Sequence, residues 1–206
     1  MQNLSPDEEH CLQNELADGE SLLWSGKPNP SVIFHPSDWY MIPFSLMWGG
    51  FAIFWEAGVT GSLGFSGGHS APPFFMLWGI PFVIIGQYFI WGRFFYAAWK
   101  KTRILYAITN RRVLVIALRP WPKTISAFID NIPVIDKEVR SDGIGTLKFG
   151  NINNSPWSGS RRNTGTMDGL YLNSGIPVFV DVDDVASVVA IVTGQRERVS
   201  RQYQQQ

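Results

Sequence analysis

Two stretches of this chain abandon the mixing of polar and apolar residues seen elsewhere. Between Asp38 and Glu56 lie seventeen residues, WYMIPFSLMWGGFAIFW, without a charge, and the run from Ala71 to Gly92 is also uncharged. At ~1.5 Å per helical residue, each matches most of the ~30 Å hydrocarbon layer of a bilayer. A soluble helix keeps one polar face because only one stripe packs on a core, and neither run has such a face. Trp39, Tyr40 and Trp55 bracket the first run, and Trp91, Tyr96 and Trp99 gather toward the end of the second, as an aromatic belt at the headgroups requires. The pattern predicts a two-span transmembrane hairpin over residues 39–99 with a connecting loop at 57–70. The competing reading, two buried helices of a soluble protein, fits the all-round apolarity poorly.

Beyond Lys101 the pattern becomes short and β-branched. Arg103 to Thr109 and Arg112 to Leu118 read as strands of a hairpin turning at Asn110 and Arg111. Further strands are predicted at Thr124 to Ile129, Val134 to Arg140, Thr146 to Phe149, Gly169 to Leu172 and Pro177 to Val182, with Ser141-Asp142-Gly143 as a turn. The segment from Val185 to Val192 is β-branched enough for a strand. The apolar face of Val185, Val188, Val189 and Val192, with an aspartate cap before it and Arg196 and Arg198 after it, favours a helix. Residues 201–206 read as a polar tail. At the other end, Ser5-Pro6-Asp7-Glu8 fits a capping box with proline at the first helical position, and Leu12 and Leu16 share a face. That short acidic helix is compatible with docking on the basic domain, with docking on a partner, or with exposure.

Charge sharpens this picture once it is split by position. The total is +0, yet residues 1–38 carry seven carboxylates against Lys27, whereas from Lys100 onward fifteen Lys and Arg face nine Asp and Glu. An acidic head precedes a basic tail. The loop at 57–70 has no Lys or Arg, while Arg93, Lys100, Lys101 and Arg103 crowd the end of the second run. The positive-inside rule then places the loop outside and both termini in the cytoplasm. The lone Cys11 excludes an internal disulfide, and with scattered His10, His35 and His69 it makes no zinc site. No phosphate loop, metalloprotease motif or paired-cysteine metal motif occurs, and no catalytic residue, cofactor or metal is expected. The glycines of DGIGTLKFG read as turn formers, and Asp181, Asp183 and Asp184 as helix-capping carboxylates. Nucleic acid is not an expected partner.

YAITNRRVLVI, DGIGTLKFG and IPVFVDVDDVASVVAIV, together with the opening GESLLWSGKP, resemble the pleckstrin-homology-like (PH-like) domain of bacterial membrane proteins of unknown function. The resemblance implies a seven-stranded, strongly bent β-sandwich closed by a C-terminal helix. The expected fold is therefore an α+β membrane protein, a two-helix transmembrane hairpin followed by a PH-like domain. Its parts are an acidic cytoplasmic segment (1–38), the hairpin (39–99), the PH-like domain (100–200) and the tail (201–206). The stretch NINNSPWSGSRRNTGT at 151–166 departs from the short connection of such domains.

Two groups of residues are candidates for contact. Gly49, Gly50, Gly79 and Gly86 offer close helix packing. Gln87, the only amide in either apolar run, suits either a bond within the hairpin or a contact to a partner. Arg111 and Arg112 at the hairpin turn, and Arg161 and Arg162 beside Trp157, are candidates for an anionic lipid or a protein partner; the plain alternative for the first pair is a solvated turn. The functional expectation is a non-enzymatic interaction module of the bacterial cytoplasmic (inner) membrane, a scaffold or accessory subunit with a membrane protein partner or self-association. Recognition of anionic lipid is the alternative.

Overall fold

The computed structural model describes residues 4–32, 38–61, 72–118, 122–150 and 175–204. They form an α+β protein of four helices and two antiparallel sheets, divided into two compact units. One unit draws on residues up to Val32 and from Ala98 onward, and the other lies between them.

The intervening unit is a helical pair. Helix α2 runs over Asp38–Val59 and α3 over Pro73–Lys101, with a π-turn at Tyr88–Gly92. Both are long and apolar enough to cross a membrane by length and composition. They run through Pro43 and Pro81, which interrupt the backbone bonding without ending either helix. Helix α3 extends past the uncharged run to Lys101, where Arg93, Ala97, Ala98, Lys100 and Lys101 supply the good helix formers and no glycine or proline intervenes.

The other unit is β-rich. Strands β1 (Leu22–Gly26), β2 (Ile104–Thr109), β3 (Arg112–Ala117) and β4 (Lys123–Phe128) form one sheet in that order. Strands β5 (Ile135–Val139), β6 (Gly145–Phe149) and β7 (Val178–Val182) form the second. The predicted hairpin at Asn110–Arg111 is present, with Tyr106 opposite Val115. The Ser141–Gly143 turn joins β5 to β6, and Gly143 takes φ +83°, a conformation that a side chain disfavours. The strand expected at Gly169–Leu172 lies outside the described residues.

Strand alternation explains the core. Ile104, Tyr106 and Ile108 point inward with Val113 and Val115, and meet Leu147, Phe149 and Phe179 of the second sheet. Helix α4 (Val185–Gln204) closes this core with Val185, Val188 and Val192. Tyr106 stacks on Phe179 at 4.4 Å and exchanges hydrogen bonds with Val180, its hydroxyl accepting from the N–H at 2.9 Å and donating to the carbonyl. Burial pushes that phenol's pKa up. The C-terminal residues expected as a polar tail instead extend α4 to Gln204. The stretch after Val192 carries the strong helix formers Gln195, Arg196, Glu197, Arg198 and Arg201, which favour continuation of the helix.

The opposite face of β2 and β3 is buried as well. Leu105, Ala107, Leu114 and Ile116 pack beneath Leu12 of helix α1 (Pro6–Glu15). Ser5 donates its N–H to the Glu8 carboxylate at 2.8 Å, as the capping box predicts. Leu16 falls just past the helix and is half-buried, and the contact is carried by Leu12 with the partly buried Leu4 and Cys11 beside it. The residues expected as a separate acidic segment therefore supply a covering helix and an edge strand to the β-rich unit. A strand apolar at every position needs cover on both faces, and α1 provides it.

Candidate functional site

In the helical pair, two of the four candidate glycines mark one close approach. A Cβ on Gly86 would stand 2.9 Å from the Gly49 Cα, and one on Gly49 would stand 2.5 Å from the Ile90 Cδ1. Glycine is what allows these backbones to approach. Gly79 packs against the Glu56 carboxylate, the flexible end of a side chain that would have to swing aside for a Cβ there. Gly50 faces open space and takes no part. At the start of α2, buried Asp38 pairs with buried Arg93 at 3.2 Å, and the Arg93 guanidinium also lies over the Phe94 ring. Gln87 is exposed, and its side-chain amide has no partner among the described residues, so a bond within its own hairpin is not the arrangement found.

In the β-rich unit, the acidic head and the basic tail pair with one another. Glu20, 1% exposed at its side chain, accepts from Arg112 Nη2 at 2.9 Å and Nε at 2.9 Å, from the Thr109 hydroxyl at 2.6 Å and from the Ala17 N–H at 2.9 Å. Burial, the largest single influence, opposes its charge. The Arg112, Thr109 and Ala17 donors together outweigh that effect and bring its pKa down to about 2. Arg112 also donates to the Glu15 carbonyl at 2.7 Å, a cation at the C-terminus of α1. Its guanidinium is thus engaged inside the unit. Arg111, its neighbour, is exposed beside a concavity that Phe128, Asp130, Gln195 and Arg198 also line.

A second buried pair was hidden in the sequence. Lys101 Nζ donates to Asp181 Oδ2 at 2.6 Å and to the Val32 carbonyl at 2.5 Å, with both side chains about 5% exposed or less. Asp181 adopts φ +52°, and its carbonyl accepts from the Asn29 N–H at 2.8 Å. Of the three aspartates expected to cap α4, only Asp184 does so, accepting from the Ser187 N–H at 3.0 Å; that contact and the Ser187 hydroxyl lower its pKa. Asp183 instead accepts from the Asn29 amide at 2.6 Å. Lysine and aspartate eighty residues apart carry no local signal of their pairing.

Trp157, Arg161 and Arg162 lie outside the described residues. Among the described residues there is no group of three His, Cys, Asp or Glu able to hold a metal ion. Compared with family models, curated proteins and solved structures, the chain matches none.

Proposed function

We propose that this protein is a non-enzymatic, membrane-anchored interaction module, a scaffold or accessory subunit of a bacterial membrane protein assembly. One observation carries the reading: the helical unit exposes large apolar side chains along both helices, among them Trp39 at 87%, Phe51 at 63%, Leu77 at 67% and Ile84 at 62%. Water does not accommodate so continuous a surface, whereas lipid does. The β-rich unit complements it with a four-stranded and a three-stranded sheet closed by a C-terminal helix, an arrangement that supports a PH-like fold. In this reading the hairpin crosses the bacterial inner membrane twice, both termini are cytoplasmic, and the β-rich unit is held near the bilayer. Its mechanism is positional, since tethering raises the domain's effective concentration for membrane-bound partners. Affinity purification in mild detergent followed by mass spectrometry tests this, and a reproducible membrane protein partner is the expected result. Substrate turnover by the pure protein would overturn it.

Anionic-lipid recognition is the second reading, favoured by the exposure of Arg111. With Arg112 committed to Glu20, its other candidates are Arg161, Arg162 and Trp157. Copurification of lipid without any protein partner would move it to first place.

A further inference from the structure

Gln87 stands where hydrocarbon is deepest if the hairpin spans a bilayer, the reading on which this inference rests. Its neighbour Gly86 meets Gly49, close to the midpoint of α2 (Asp38–Val59). The same antiparallel alignment puts Glu56 against Gly79 and Asp38 against Arg93, one toward each end. The Gln87 amide is therefore near mid-depth, exposed on the outer surface of the pair and without a partner among the described residues. Lipid tails offer it none, and an amide left unbonded in hydrocarbon is strongly disfavoured. Ile80 and Ile84, seven and three residues earlier, and Trp91, one turn later, are exposed on the same side of α3. The π-turn begins at the very next residue, Tyr88, and such turns recur at functional sites.

We propose that the hairpin pairs with a second copy of itself through this face of α3. A primary amide carries both N–H donors and a carbonyl acceptor, so it is complementary to itself. Around a two-fold axis each Gln87 donates to the carbonyl of its counterpart, and the apolar side chains beside it pack across the same axis. A purely apolar partner helix would leave the amide unsatisfied.

The test uses the full chain with Cys11→Ser and Ser200→Cys, labelled separately with donor and acceptor dyes and reconstituted into phosphatidylcholine and phosphatidylglycerol vesicles. Carbonate extraction first establishes that the protein stays in the membrane fraction; loss there would sink the membrane reading itself. Energy transfer that rises with the protein-to-lipid ratio is expected. Gln87→Leu should raise the dissociation constant about 3- to 30-fold, the range of interhelical side-chain bonds in bilayers, and Gln87→Asn should retain most of the pairing. Unchanged helix content by circular dichroism guards against misfolding of either variant. Absent transfer in the starting protein, or transfer unaffected by Gln87→Leu, overturns the proposal. So does a different membrane protein whose capture depends on Gln87 while self-pairing is absent.

Discussion

Cutting the chain at Thr102 is a severe test of how the β-rich unit is built. A fragment of residues 102–206 keeps β2 to β7 and α4, the elements that a β-sandwich with a closing helix nominally needs. It discards Leu12, which covers Leu105, Ala107, Leu114 and Ile116, and it discards β1, whose Trp24 stacks on Phe179 at 5.8 Å. Losing two such apolar side chains removes about 3–6 kcal/mol at ~1.5–3 kcal/mol each. The cut also takes away Lys101 and Glu20, leaving Asp181 and Arg112 without their partners, and breaking one buried pair costs about 3–5 kcal/mol. Domains of this size are stable by only ~5–15 kcal/mol, so the fragment is expected to be unfolded. A chain joining residues 1–32 to 98–206 through a flexible linker of about ten residues, with a reach of ~16–19 Å, restores all of these groups. That linker suffices because Val32 and Lys101 are in direct contact. Far-ultraviolet circular dichroism with urea titration should show a cooperative β-rich unit for the joined chain and no transition for the fragment. Equal cooperativity and midpoint in both would refute the roles given to α1, β1 and the two ion pairs.

Three further outcomes are expected. The Glu20 carboxylate, held at about 2 against ~4.3 when unfolded, contributes fully above the unfolded value and loses that contribution as pH falls toward its folded value. Glu20→Gln in the joined chain should therefore lower stability by about 1–3 kcal/mol at pH 7, with the gap to the parent closing between about pH 5 and pH 2; a pH-independent gap contradicts the assignment. Gly86→Val should lower the detergent-phase melting temperature of the full chain through about 1–3 kcal/mol of overpacking, while Gly50→Ala should not, and equal effects would discard the Gly49–Gly86 contact. In whole cells with Cys11→Ser, a cysteine at position 66 should react with an impermeant reagent and one at position 200 should not; the reverse pattern would invert the topology.

What the sequence disclosed depended on the range of the interaction. The helical runs and strands β2 to β7 are written in local periodicity, and the Asn110 and Gly143 turns in residue choice. Strand β1 escaped because LLWSG is five residues long and sits in an otherwise polar, acidic head. A signal for it did exist: ILYAIT and RVLVIA are apolar on both faces, which calls for a cover beyond the second sheet. The Lys101–Asp181 and Glu20–Arg112 pairs had no such signal, since each looks like an ordinary surface charge until folding joins distant segments. Gly49 and Gly86 were legible as small residues, but Gly50 was equally so, and only helix phase separates them.

Pairing between β1 and β2 also constrains how the chain is made. Trp24 lies opposite Ile108, so the first strand leaves the ribosome well before its partner, and the whole helical unit is synthesised between them. At ~5–20 residues per second the edge strand waits on the order of seconds. Because the two strands hydrogen-bond, the chain before α2 and the chain after α3 must end in one compartment. If the helical pair spans a bilayer as proposed, an insertion that threads only one of the two helices leaves β1 and β2 on opposite sides, and the sheet cannot close. In the membrane reading proposed above, completion of the β-rich unit acts as a parity check on insertion, passed only by an even number of crossings.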